Sequence, residues 1–200
     1  IENFGLYNSI SSILMYFSAI VATLPYFVTK TLSDKNNSDQ IWNYLFLIIF
    51  IVNLFFLIFH FFILEFLKFD NNIYFIYIYV IINLSILLSF LSGFLQFNKN
   101  YNKFSILISL QMFFRFLVLI FFYYIFKNIS VHHALLSNLA PIFIILLIAF
   151  YFSFEILKSY KFLLKLIKLS VFKKFFNEFF PIYLNNLLII FKLASDIVLL

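Results

Sequence analysis

The chain has 200 residues, of which 65% are hydrophobic and 11% charged, with 34 Phe, 13 Tyr, no Cys and a formal net charge of +6. A soluble domain averages about 45–50% apolar and 25% charged residues, so no soluble core could bury this much apolar surface; without cysteine there is no disulfide framework, thiolate chemistry or zinc ribbon. The basic surplus sits in gaps between apolar stretches and forms no aromatic-basic stripe, which argues against nucleic acid and for anionic lipid head groups as partner. Abundant Phe, Ile, Asn and Lys against 2 Gly and 3 Pro carry the mark of AT-rich codons; an aromatic ligand site is the alternative.

A bilayer core about 30 Å thick takes roughly 20 apolar residues at 1.5 Å rise each. The first such span runs from about Leu6 to Val28, with Pro25 near its end withdrawing one amide and predicting a kink. A polar loop from Lys30 to Gln40 follows. The second span is about Trp42 to Leu64, with Trp42 suited to an interfacial belt. The third covers Ile73 to Leu95, entered through Tyr74, Tyr77 and Tyr79, and the fourth extends from about Phe104 to Phe126. The fifth is expected to start near Ser137 or Asn138 as N-cap, placing Pro141 in its first turn, and to end near Phe154. A sixth starts at Pro181 and is still running at Leu200.

Between the last two lies Glu155 to Lys174, in which Lys158, Lys161, Lys165 and Lys168 fall within about 80° of a helix circumference. A basic amphipathic helix on an anionic surface accounts for this pattern, the plainer alternative being a solvated linker. The expected organisation is therefore a first transmembrane lobe over 1–154, a basic linker helix over 155–178 and the first span of a second lobe over 179–200. Ile1 is not a start methionine and Leu200 falls inside an apolar run, so the chain is expected to be part of something longer.

The connections are short, so successive spans must alternate in direction. Loops after spans one, three and five carry ten lysines, and those after spans two and four carry Lys68 and Lys127. By the positive-inside rule the ten-lysine side faces the cytoplasm.

Three charged residues break the confinement to loops. Arg115 lies 11 residues into the fourth span, about 17 Å deep, where a central arginine costs roughly 2.5–3.5 kcal/mol on insertion scales. It serves either as half of an ion pair holding helices together or as the cation of a pathway or anion site. Its planar, permanently charged fork suits a phosphate or pyrophosphate better than a proton relay. Gln111, one turn earlier, and Gln96 could extend a polar lining. Lys192 and Asp196 are four apart and share a helix face; they either neutralise each other during insertion, or Asp196 binds a proton or sodium ion and couples its gradient to transport. Asn53 and Asn83 read as polar lining or as helix-to-helix hydrogen bonds, worth about 0.6 kcal/mol each. His132 and His133 fall in an external loop with no third ligand at metal spacing, and His60 and Glu65 are expected to snorkel towards the interface. Phosphate-binding glycine loops, HExxH and GxSxG are absent, and Asp34 with Asp39 poorly imitates a magnesium site. Neither enzymatic chemistry nor a cofactor or metal is expected.

Several stretches together resemble the Wzx-type polysaccharide flippases of the multidrug, oligosaccharidyl-lipid and polysaccharide exporter superfamily. IENFGLYNSISSILMYFSAI is similar to that family's second-span entrance, through Glu2, Phe4, Gly5 and Tyr7, and LPYFVTK, Leu24 to Lys30, to that span's cytoplasmic end. Phe90 to Phe116, with Gly93, Leu95, Gln96, Tyr101 and Phe104, resembles the junction of the fourth and fifth spans. Phe179 to Leu200, with Pro181, Leu184, Asp196 and Leu199, looks like the start of the second lobe. The resemblance covers nearly the whole chain. It implies an all-α, polytopic transmembrane bundle comprising spans two to seven of a two-lobed exporter, multi-pass in the cell (inner) membrane. It further implies alternating access that carries a polyprenyl-pyrophosphate-linked oligosaccharide to the outer leaflet for O-antigen-like surface polysaccharide, with other polysaccharide-assembly membrane proteins as partners. In that scheme Arg115, Gln111 and Lys192 are cavity or substrate-binding residues, and Asp196 is an ion-coupling or hinge residue. A cation-coupled drug or metabolite antiporter of the same fold is the alternative, followed by a membrane polysaccharide polymerase and a structural subunit.

Overall fold

The computed structural model describes residues 2–34, 40–66, 73–127, 130–158 and 169–198. Among them there is no strand. Six helices follow in order: α1 Glu2–Ser33, α2 Ile41–Phe66, α3 Ile73–Phe97, α4 Tyr101–Phe126, α5 Val131–Lys158 and α6 Leu169–Val198. The first five each contain a stretch long and apolar enough to cross a membrane, so the chain is a multi-pass, all-α membrane protein. α6 does not reach that measure on its described residues; its early turns carry Lys173, Lys174 and Glu178.

Directions alternate as the short connections require. α1 and α3 run parallel, with Val21 level with Ser89 and Pro25 with Gly93. α2 is antiparallel to α3, since Trp42 meets Phe90 and Phe56 meets Phe75. α4 is antiparallel to α5, with Phe122 on His133 and Lys103 over Phe152. α6 runs against α1 in one unbroken register, through Tyr16 with Phe191, Thr23 with Asn186, Lys30 with Glu178 and Asp34 with Lys174. Neighbours therefore follow the order α6, α1, α3, α5, α4, and α2 packs beside α1 and α3.

α1 and α3 approach closely at Gly93, and Pro25 explains how their seam is built. Proline has no amide to offer the carbonyl four residues back, which leaves Val21 O without its usual partner; the Ser89 hydroxyl on α3 donates to that oxygen instead. One turn on, Gly93 brings the backbones together. A Cβ there would stand 2.6 Å from Val28 Cβ and 3.2 Å from Pro25 Cα. Ser85, Ser89 and Gly93, four residues apart, thus form a small-residue stripe of the kind that lets membrane helices approach.

Two helix starts differ from those expected. α5 begins at Val131, not near Ser137. Ser130 is its N-cap: its hydroxyl lies 3.4 Å from the His133 amide and its carbonyl accepts from the Ala134 amide. Ser137 and Asn138 instead turn back to donate to Ala134 O. Pro141 consequently sits inside the helix, buried, a position membrane helices tolerate when neighbours support the freed carbonyl. α6 begins at Leu169 and runs through Pro181 because Phe175 and Phe179 bury themselves edge-on against Phe27. Of the linker helix expected over 155–178, positions 155–158 complete α5 and 169–178 open α6; the remainder lies outside the described residues.

Candidate functional site

The polar residues inside the apolar segments fall on two separate flanks. Gln111 and Arg115 lie near the middle of α4, the least covered helix, where Leu107 is the one fully buried residue. α4 packs through Phe104, Leu107, Leu110 and Phe114 onto α3 and α5, and both Gln111 and Arg115 are half-buried at the border of that face. Among the described residues Arg115 forms no hydrogen bond and no ion pair; Lys30, Lys158 and Lys174 take Glu178, Glu155 and Asp34 respectively. An intramembrane ion pair for Arg115, one of the two roles open from sequence, finds no carboxylate here.

Lys192 and Asp196 belong to α6 at the opposite flank. The helix is continuous through both, which keeps them one turn apart, and the antiparallel register sets Lys192 level with Tyr16. Lys192 is exposed, whereas the Asp196 side chain lies outside the described residues. The structure does not bring Lys192 to Arg115: α6 packs on α1, α4 on α5, and α3 stands between.

Between α1, α2 and α6 runs a groove of about 300 Å³ whose described lining is almost wholly apolar. Tyr16, Phe17 and Phe55 line one end, and Phe176, Phe180 and Tyr183 the other. Stacked rings build its α6 wall, Phe176 on Phe180 at 5.6 Å and Phe175 on Phe179 at 5.0 Å. A second, more open cavity of about 530 Å³ lies between the far halves of α2 and α3, lined by Asn53, Phe56, Leu57, His60, Phe75 and Tyr79. The Asn53 Oδ1 beside it is buried without a hydrogen-bond donor.

Other polar residues singled out from sequence act locally. Asn53 and Asn83 donate to Ile49 O and Tyr79 O, each one turn back on its own helix, not to another helix. Besides the Tyr77–His132 contact between α3 and α5, two hydrogen bonds cross between described helices, and neither is expected from sequence. One is Ser89 to Val21 O; the other is Asn186 Nδ2, which donates to Thr23 Oγ1 at 2.9 Å while that hydroxyl donates to Ala19 O. Their signals were in the chain: a proline inside an apolar run with serine and glycine four apart in another, and an Asn185–Asn186 pair amid Leu and Ile. Likewise His132 and His133 lie in the first turn of α5 instead of a loop. His132 Nε2 is 3.3 Å from the Tyr77 hydroxyl, and the His133 ring stacks on Phe126 at 4.5 Å. His60 packs edge-on against Phe75 at 4.4 Å, and Trp42 packs against Phe90 and Phe94 of α3.

Comparison with protein-family models, curated proteins and solved structures found no match.

Proposed function

We propose that this chain belongs to a membrane transporter that moves a polyprenyl-pyrophosphate-linked oligosaccharide from the inner to the outer leaflet of the cell membrane by alternating access. The observation that carries the reading is Arg115: a permanent cation near the centre of a membrane-length helix, half-buried and without a counter-ion among the described residues. A charge in that position is costly unless it meets water, an opposite charge or an anionic ligand, and a pyrophosphate offers two acceptors to the guanidinium fork. In this scheme α1–α5 form the first lobe, α6 opens the second, and the α1–α6 seam is a contact between lobes. Transport needs no catalytic group, cofactor or metal from this chain.

The test is Arg115→Lys, which keeps the charge and loses the fork. Export of lipid-linked sugar should fall by about tenfold or more at normal protein abundance, the scale of one lost charge-assisted bond; undiminished export would remove the binding role.

A second reading, the drug or metabolite antiporter of the same architecture, draws on the groove between α1, α2 and α6, whose apolar aromatic lining suits an uncharged or lipophilic cargo. Reconstituted protein offered lipid-linked saccharide and a lipophilic dye in parallel separates the two, since each reading expects only one of them to move.

A further inference from the structure

We infer that the groove between α1, α2 and α6 is a binding site for one anionic membrane lipid, its hydrocarbon chain lying along Phe55, Phe176 and Phe180 and its phosphate head group on Lys173. The occupant follows first from the lining. Eight aromatic and four aliphatic side chains make up the described lining of the groove, and among them only the Tyr16 and Tyr183 hydroxyls offer polarity. Water there would lack hydrogen-bond partners, and an unfilled space would forfeit dispersion contacts on every wall. Phe55, Phe176 and Phe180 are exposed at its opening, and the medium beside a membrane-spanning helix at that depth is hydrocarbon. An aliphatic chain fills the space without leaving any polar group unpaired.

The head group's charge follows from one lysine. Lys173 precedes Phe176 by three residues and Phe180 by seven, so on a continuous helix it shares their face, about one turn nearer the lysine-rich end. Its neighbours are already engaged, Lys174 with Asp34 at 3.8 Å and Lys30 with Glu178 at 3.7 Å. Lys173 is exposed and has no carboxylate partner among the described residues. A lysine stem lies along apolar surface while its ammonium reaches the interface, which sets the cation at the end of the groove where a phosphate would stand. The site does not depend on what the protein transports: the binding is the same whether the lipid is cargo or a fixed constituent.

The single tryptophan, Trp42, makes the site accessible to fluorescence. In a Trp42→Phe background, Phe180→Trp places a reporter in the groove and Phe150→Trp places one on exposed α5 at about the same level. The full chain is reconstituted into phosphatidylcholine vesicles holding a minor fraction of either brominated phosphatidylglycerol or brominated phosphatidylcholine. Quenching of the groove reporter should be saturable and favour the brominated anionic lipid by about fivefold, the effect of one lysine near an anionic head group. The α5 reporter should show no preference, and Lys173→Gln should abolish the preference in the groove. Phe176→Trp repeats the measurement independently of any local defect at position 180. Equal quenching by the two lipids, a preference that survives Lys173→Gln, or no quenching by either because protein covers the groove would each overturn the assignment. None of these outcomes bears on Arg115, so failure here and failure of the transport reading are told apart.

Discussion

Gly93 and Ser89 do different work within one turn of α3, and their substitutions should separate accordingly. A Cβ at Gly93 would fall 2.6 Å from Val28 Cβ and 2.8 Å from Val28 Cγ1, and the first of these is rooted in the backbone, so the helices themselves must part. Gly93→Ala should therefore cost about 1–3 kcal/mol, the usual penalty of overpacking a closed seam. Ser89→Ala leaves Val21 O without a donor but disturbs no packing, and polar bonds between membrane helices average about 0.6 kcal/mol. Thermal unfolding in mild detergent should rank Gly93→Ala well below Ser89→Ala; the reverse order would mean that the hydrogen bond, not the close approach, holds α1 to α3.

The same contest between polar and apolar terms decides the α1–α6 seam. Its ion pairs, Lys30–Glu178 and Lys174–Asp34, are long and partly exposed, and such pairs contribute about 0.2–1 kcal/mol. Beside them Phe175 and Phe179 are buried against Phe27, and truncating a buried Phe costs about 3–5 kcal/mol. The element is thus held by rings and registered by charges. Glu178→Gln should shift unfolding little and Phe179→Ala a great deal, measured side by side in the same detergent. A large effect of Glu178→Gln with a small one of Phe179→Ala would assign the seam to electrostatics. The Thr23–Asn186 bond adds register at a third point, deep between the two helices.

For the whole molecule, the alternation of α1 to α6 gathers the ends of α1, α3 and α5 on one side, and with them, among the described residues, Lys30, Lys99, Lys103, Lys158, Lys173 and Lys174. By the positive-inside rule that side is expected to face the cytoplasm. Because the chain has no cysteine, one introduced thiol reports one position. A membrane-impermeant maleimide added to intact cells should label Ser130→Cys and leave Lys173→Cys unlabelled until the membrane is opened. Labelling in the opposite pattern would invert the orientation, and with it the direction of the proposed transport.

Much of this was readable from the chain. Five apolar stretches of membrane length, their alternation and the segregation of lysines are properties of local hydropathy and connection length, and each is visible without a neighbour. Arg115 was equally legible, because an isolated guanidinium in an apolar run is conspicuous wherever the helix packs. Tertiary structure alone decided the rest. Lipid tails and helix neighbours are equally apolar, so hydropathy cannot tell which face of a membrane helix is covered; the bare side of α4 and the groove between α1, α2 and α6 had no signature in sequence. Proline and serine were ambiguous for a related reason. Pro141 read as a first-turn residue and Ser137 as a cap because their meaning depends on where Val131 and Leu135 are buried. Pro25 read as a kink near the end of a span closing at Val28, yet α1 continues through it to Ser33, with Ser89, on another helix, donating to the carbonyl that the missing amide leaves open. A sequence records which backbone groups lose their partners. Only the packed bundle determines which side chain, from which helix, takes their place.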